Sequence, residues 1–403
     1  MKILKFALAL SILFFHQLNY GQQGKYAEND EGRTKKTEIL TGADRIPVYL
    51  PQLKGKKVAL LVNQTSEING VLLPDTLLKL GVNVVKIFSP EHGFRGNADA
   101  GAKVKSGTDA QTGLEVISLY GNNKKPTAEQ LKNVDVLVYD LQDVGARFYT
   151  YISTLQYAME ACGEQKKQLM VLDRPNPLGF IVDGPVLEPG NSSFIGMQPI
   201  PVVYGMTAGE YAKMLIGEKW LKDPAPDLTV IPCAHYTHKS LYALPVSPSP
   251  NLKNMAAIYL YPSLCFFEGT ALSLGRGTAM PFQQFGHPAL KGYTYSFTPV
   301  SMPGATDPPL KNQRCYGKLV TDDAAKALKL IDNKLQIQWL LEGYRNYPEP
   351  AKFFIPFFEK LSGTNTLRKQ IEQGLTEAEI RKSWEPGLEK FRAIRKKYLL
   401  YAE

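Results

Sequence analysis

From Lys57 onward, short apolar runs bounded by polar or turn-forming residues alternate with segments of helical spacing. Residues 58–62 (VALLV) read as a strand buried on both faces, 73–80 as a helix and 82–88 as the next strand. Strands over 115–119 and 134–140 follow, with a capped helix start at Thr127 and Gln130 between them. A long helix over 151–164 leads to an apolar strand at 169–172. Thr207 and Glu210 open a further helix to about residue 221, and 228–231 closes the series. This alternation predicts an α/β fold with a mostly parallel sheet and crossover helices on both faces. Beyond Ala243 the texture changes. Proline- and glycine-rich loops dominate 244–310, and two helical stretches end the chain, one begun by the capping box of Thr376 and Glu379. Trp384, Leu388, Phe391, Ile394 and Tyr398 recur every three or four residues, so one face of the last helix packs on something.

The length of 403 residues exceeds one ordinary domain, and 44% hydrophobic residues supply sizeable cores. We expect a larger α/β domain over 37–243 and a smaller α+β domain over 244–403. The formal charge of +9 comes from scattered basic pairs, such as Lys124 with Lys125 and Lys166 with Lys167, so a nucleic-acid partner is not expected. At the N-terminus, Lys2 and Lys5 precede an apolar stretch from Phe6 to Phe15 and the small residue Gly21, the pattern of a secretory leader over 1–21. Polar residues 22–36 read as a flexible lead-in. No later stretch approaches the roughly 20 apolar residues that span a bilayer, and the first cysteine, Cys162, is too late for a lipid anchor. Stable membrane insertion is therefore not expected, and the mature protein belongs in the periplasm or outside the cell. The four cysteines are widely spaced, without metal-ligand spacing, and read as buried thiols.

In parallel α/β sheets the ligand crevice lies beyond the carboxyl ends of the strands. The residues following the expected strands are polar: Asn63, Gln64 and Thr65; then Ser89 to Gly96; then Asp140, Gln142, Asp143 and Arg147; then Asp173, Arg174 and Asn176. No glycine-rich nucleotide or P-loop motif accompanies them, so no nucleotide cofactor is expected. Glu91 is the sharpest candidate. Pro90 and Gly93 fix its turn, and Phe88 and Phe94 flank it with apolar surface, which favours the protonated form a general acid needs. A surface turn glutamate is the alternative. Asp140 and Asp143 are candidates for the second carboxylate that glycoside hydrolysis commonly uses, although Asp140 suits a helix cap and Asp143 a salt bridge to Arg147. Later in the chain, glycines flank Arg276, which lets its backbone approach a ligand closely, and Glu268 stands nearby in sequence.

The segments Ser89-Pro90-Glu91-His92-Gly93-Phe94-Arg95-Gly96, Tyr139 to Tyr151, Leu172 to Gly179, Asp183-Gly184-Pro185, Gly205-Met206-Thr207, Phe267 to Thr270 and Gly275 to Thr278 resemble, in order, the bacterial exo-β-N-acetylmuramidases of the NamZ type. The resemblance implies a Rossmann-like domain followed by a smaller C-terminal one. It also implies removal of terminal N-acetylmuramic acid from the non-reducing end of peptidoglycan fragments, with disaccharides or glycan chain ends as partners and with Glu91 as the catalytic glutamate. Asp140 or Asp143 would assist, with no metal and no organic cofactor. Arg147 or Arg276 would read the lactyl carboxylate of the sugar, and Tyr149 and Tyr151 would offer it aromatic surface. His92, Arg95, Asp173, Arg174, Asn176 and Glu268 complete the expected substrate contacts. Two other readings compete: a periplasmic glycan-binding protein without catalysis, and a metal-dependent hydrolase using Glu91, His92 and the aspartates. Subunit number has no signature in the sequence.

Overall fold

A computed structural model describes residues 38–91, 94, 106–222 and 224–403. The expected leader (1–21) and lead-in (22–36) lie outside the described residues. The strands are β1 (Val58–Val62), β2 (Glu67–Ile68), β3 (Val71–Leu72), β4 (Val84–Ser89), β5 (Gly107–Thr108), β6 (Glu115–Ser118), β7 (Val136–Asp140), β8 (Gln168–Leu172), β9 (Asp183–Val186), β10 (Pro201–Val203), β11 (Asp227–Ile231), β12 (Gln284–His287), β13 (Tyr295–Phe297) and β14 (Cys315–Leu319).

Seven of them form one sheet in the order β11-β8-β7-β1-β4-β6-β5, parallel except for the two-residue edge strand β5. A short, exposed edge gives another chain little to pair with. Strand β1 is apolar throughout and β7 nearly so, because each feeds two cores. Val58, Leu60 and Val62 of β1 enter one hydrophobic cluster, and Ala59 and Leu61 enter the other. Strand β7 repeats the arrangement, with Val136 and Val138 on one side and Leu137 and Tyr139 on the other. The result is a Rossmann-like α/β core. From the central β1 the chain moves out through β4 and β6, then returns to the other flank of β1 through β7, β8 and β11. The switch point thus falls between β1 and β7, whose outgoing connections run to opposite sides of the sheet and open a crevice.

The helix Tyr151–Glu164 and the strand β1 coincide with the sequence reading, while β4 is shifted to Val84–Ser89. The capping boxes at Thr127, Thr207 and Thr376 all form. In the last helix, Glu377–Arg395, the buried residues include Trp384, Leu388 and Phe391.

The C-terminal region adds a three-stranded antiparallel sheet, β12-β14-β13, and several helices. Within the span expected to be loops runs the helix Met255–Leu264, and nine of its ten residues are buried, from Ala256 to Leu264. An element apolar on every side has no amphipathic period to betray it. Its packing makes one hydrophobic cluster continuous from Ala59 of the sheet to Phe391 of the last helix, and residues 38–403 form one compact unit. All four cysteines are buried free thiols.

Candidate active site

Glu91 sits two residues past β4, at the carboxyl edge of the sheet one strand from the switch point, where Ser89 and Pro90 are buried and the carboxylate is partly open. The Thr150 hydroxyl donates to its Oε2 at 3.3 Å. Thr150 occupies the N-cap position of the helix Tyr151–Glu164, so the neighbouring strand β7 and that helix set the position of this donor. The Tyr120 hydroxyl, from the loop after β6, bonds the same carboxylate. Burial and the Glu91 charge push the Tyr120 phenol upward, so it stays a donor at neutral pH. Phe88 and Phe94 are both buried.

Glu91 lines a cleft of about 820 Å³. Another part of its wall comes from the helix Met255–Leu264, whose chain tightens into the turn Cys265–Gly269 and presents Glu268. Arg276 joins it, with Nε donating to Glu268 Oε1 at 2.6 Å and the guanidinium 4.9 Å from the centre of the Phe282 ring. The glycines on either side of Arg276 have φ of +87° and +78°. That left-handed backbone explains why glycine is used there, and a Cβ on Gly277 would stand 2.6 Å from the Val300 carbonyl oxygen. The cleft adjoins a small annex of about 60 Å³, also lined by Glu91 and Arg276 and by Tyr149 and Tyr151. Tyr149 donates to the Pro248 carbonyl at 2.7 Å, and the Tyr151 oxygen accepts from Asn63 Nδ2 at 2.7 Å. The structure therefore gathers Glu91, Glu268, Arg276, Tyr149 and Tyr151 around one connected space. His92 and Arg95 lie outside the described residues.

The remaining expected site residues lie elsewhere, and each has a structural reason. Asp140, expected to be a catalytic carboxylate, is fully buried and paired with Arg174, whose Nη2 donates to Oδ2 at 2.9 Å. Burial raises Asp140 and Arg174 pulls it back down. The pair ties the end of β7 to the loop after β8, so neither residue is available to a ligand in the cleft. Asp143, the other expected carboxylate, accepts from the Tyr204 hydroxyl and from the Gly145 amide, and burial pushes it up to about 6. Asp173 accepts from Thr207 Oγ1 and the Tyr401 hydroxyl, both at 2.6 Å, and burial likewise pushes it up to about 6. Asn176 holds its own turn and donates to the Met206 carbonyl at 2.8 Å.

Arg147 departs furthest from expectation. It is wholly buried, touches no carboxylate among the described residues, and donates to the carbonyl oxygens of Pro185, Ile200, Leu361 and Ser362 at 2.8–2.9 Å. It braces the protein and cannot also clamp a substrate carboxylate.

Several lining residues escaped the sequence reading: Tyr120, Lys124, Thr150, Phe194, Tyr261 and Lys360. They come from loops and helices far apart in the chain and carry no motif spacing, and only Thr150 lies within a segment already singled out. Among the described residues, no group of three His, Cys, Asp or Glu side chains comes together to hold a metal, and no helix is long and apolar enough to cross a membrane.

Comparison with known proteins bears directly on this cleft. The N-terminal domain of exo-β-N-acetylmuramidase NamZ matches residues 58–256, and its C-terminal domain matches residues 259–401. The peptidoglycan β-N-acetylmuramidase NamZ of Bacillus subtilis (strain 168) is 38% identical over 98% of this chain and 99% of its own length. Two crystal structures of DUF1343 family proteins from Bacteroides fragilis NCTC 9343 share the fold. One is 45% identical with a TM-score of 0.84, covering 91% of this chain and 100% of its own. The other is 31% identical with a TM-score of 0.74, covering 90% and 99%. Both halves match in order and over nearly the full length, so the chain belongs to the exo-β-N-acetylmuramidase NamZ family of glycoside hydrolases.

Proposed function

We propose that this protein removes terminal N-acetylmuramic acid from the non-reducing end of peptidoglycan fragments, with Glu91 as the general acid and base. The observation that carries the assignment is the place of Glu91: at the carboxyl edge of the sheet, lining both the cleft and its annex, with its carboxylate oriented by hydroxyl groups from two other loops. Family membership and the activity named for the Bacillus subtilis relative support the substrate class.

In this reading the Glu91 carboxyl gives its proton to the glycosidic oxygen as the bond to the anomeric carbon breaks. The positive charge that develops on the sugar is offset by Glu268, which Arg276 holds at the same cleft. Water then adds to the anomeric carbon, and the proton it releases restores the acid. Tyr149 and Tyr151 shape the annex. No step calls for an organic cofactor. The candidate leader at 1–21 supports export to the periplasm or the exterior, where peptidoglycan fragments arise.

The test is Glu91→Gln assayed on a chromogenic N-acetylmuramic acid glycoside, with circular dichroism confirming the fold. Loss of a general acid lowers turnover by about 10²–10⁴-fold. Release at a near-wild-type rate would remove Glu91 from the mechanism, and retention of the sugar by wild-type protein without any release would replace hydrolysis by binding.

A further inference from the structure

N-acetylmuramic acid differs from N-acetylglucosamine by a lactyl ether that ends in a carboxylate. A site that distinguishes the two sugars needs a cation whose charge is not already spent. Among the described residues, three cations line the cleft: Lys124, Arg276 and Lys360. Arg276 is committed to Glu268 and stacked on Phe282. Elsewhere, Arg147 and Arg174 are buried, the terminal nitrogens of Arg147 on four carbonyl oxygens and Arg174 on Asp140. The lysines differ. Both are half-buried, and among the described residues neither ammonium is paired with a carboxylate; Lys124 lies over the Phe194 ring at 4.4 Å. The other acid on the lining, Asp307, points into solvent and pairs with Lys311 at 3.5 Å. A partly desolvated ammonium without a counter-ion gains more from an anion than a surface lysine does.

Resting on the muramidase reading, we propose that Lys360, assisted by Lys124, is the element that reads the lactyl carboxylate, the role the sequence suggested for Arg147 or Arg276. Lys360 belongs to the short helix Phe358–Ser362, and the last two carbonyls of that helix, at Leu361 and Ser362, are those capped by Arg147. The buried arginine thereby fixes the element that carries the lysine, and it positions anion recognition without touching the anion. A lysine suits the task because its compact charge tolerates the rotation of a lactyl group better than a fork of fixed donors would.

The experiment compares two chromogenic substrates, N-acetylmuramic acid and its lactyl amide, on wild type, Lys360→Met, Lys124→Met and the double variant. Wild type should prefer the acid. Lys360→Met should lower kcat/KM on the acid by about 10- to 100-fold, chiefly through KM, and leave the amide within about twofold. Lys124→Met should do the same to a smaller extent, and the double variant should show no preference between the substrates. Lys360→Arg should restore part of the preference, which a merely structural loss would not. Equal losses on both substrates, or a double variant that still prefers the acid, would overturn the assignment while leaving the muramidase reading intact. A wild-type protein that releases nothing from either substrate would refute that reading itself.

Discussion

Replacing Arg147 by methionine tests whether this residue holds the fold or the substrate. The guanidinium has no accessible surface and bonds four carbonyl oxygens, two beside the β9–β10 ribbon and two at the end of the helix Phe358–Ser362. Burial pulls its pKa down to about 9, so it remains charged at neutral pH. Methionine keeps much of the apolar stem but takes the arginine donors from four carbonyls in a dry site, of which Ile200 keeps the Leu187 amide at 3.1 Å. An orphaned buried polar group costs about 1–3 kcal/mol, and removing one partner of a buried charged network costs about 3–5 kcal/mol. The four losses do not simply add, because the variant is also relieved of the cost of burying a charge, so we expect about 3–5 kcal/mol in total. At about 2 °C per kcal/mol for a chain of this size, Tm should fall by about 6–10 °C. Differential scanning calorimetry gives the shift, and urea titration at 25 °C gives the free energy. The reasoning fails if Arg147→Met melts like the wild type and only raises KM for N-acetylmuramic acid, since that is how a substrate clamp would behave.

Two further variants probe groups that frame the cleft without lining it, or that shape its wall. Asp143 titrates near 6 when folded and near 3.9 when unfolded, so the folded state holds its proton more tightly and stability is lost as pH rises through that interval, by about 3 kcal/mol. Urea titrations from pH 4 to pH 7 should therefore show the stability difference between wild type and Asp143→Asn moving against the wild type by about that amount; a flat difference would show that the carboxyl does not titrate there. Gly277→Ala places a side chain at φ +78° with its Cβ 2.6 Å from the Val300 carbonyl. It should cost about 1–2 kcal/mol in backbone strain alone and lower kcat/KM by displacing Arg276 from Glu268. Unchanged stability and kinetics would mean that the loop accepts the side chain and that the glycine there is not required.

How much could be read beforehand depended on where each residue's partners lay in the sequence. Strands β1, β7 and β8 were legible because a strand packed between two cores carries an unbroken apolar run, and the helix starts were legible because a capping box closes within four residues. The helix Met255–Leu264 was not, since its partners surround it and leave no polar stripe. The polar residues after the strands were found, but their roles divided on contacts that local spacing does not encode. Asp140 pairs with Arg174, 34 residues on, Asp143 accepts from Tyr204, 61 residues on, and Arg147 donates to carbonyls 38 to 215 residues on. Tightly packed loops at a switch point exclude water, so most of their polar groups must satisfy one another. Glu91, although bonded by Thr150 and Tyr120, also lines the cleft and so faces a ligand. The same reasoning accounts for the lysines. Lys124 and Lys360 carry no motif because a cation that waits for a substrate anion is distinguished by the partners it lacks, and that becomes visible only when distant segments are folded around one cleft.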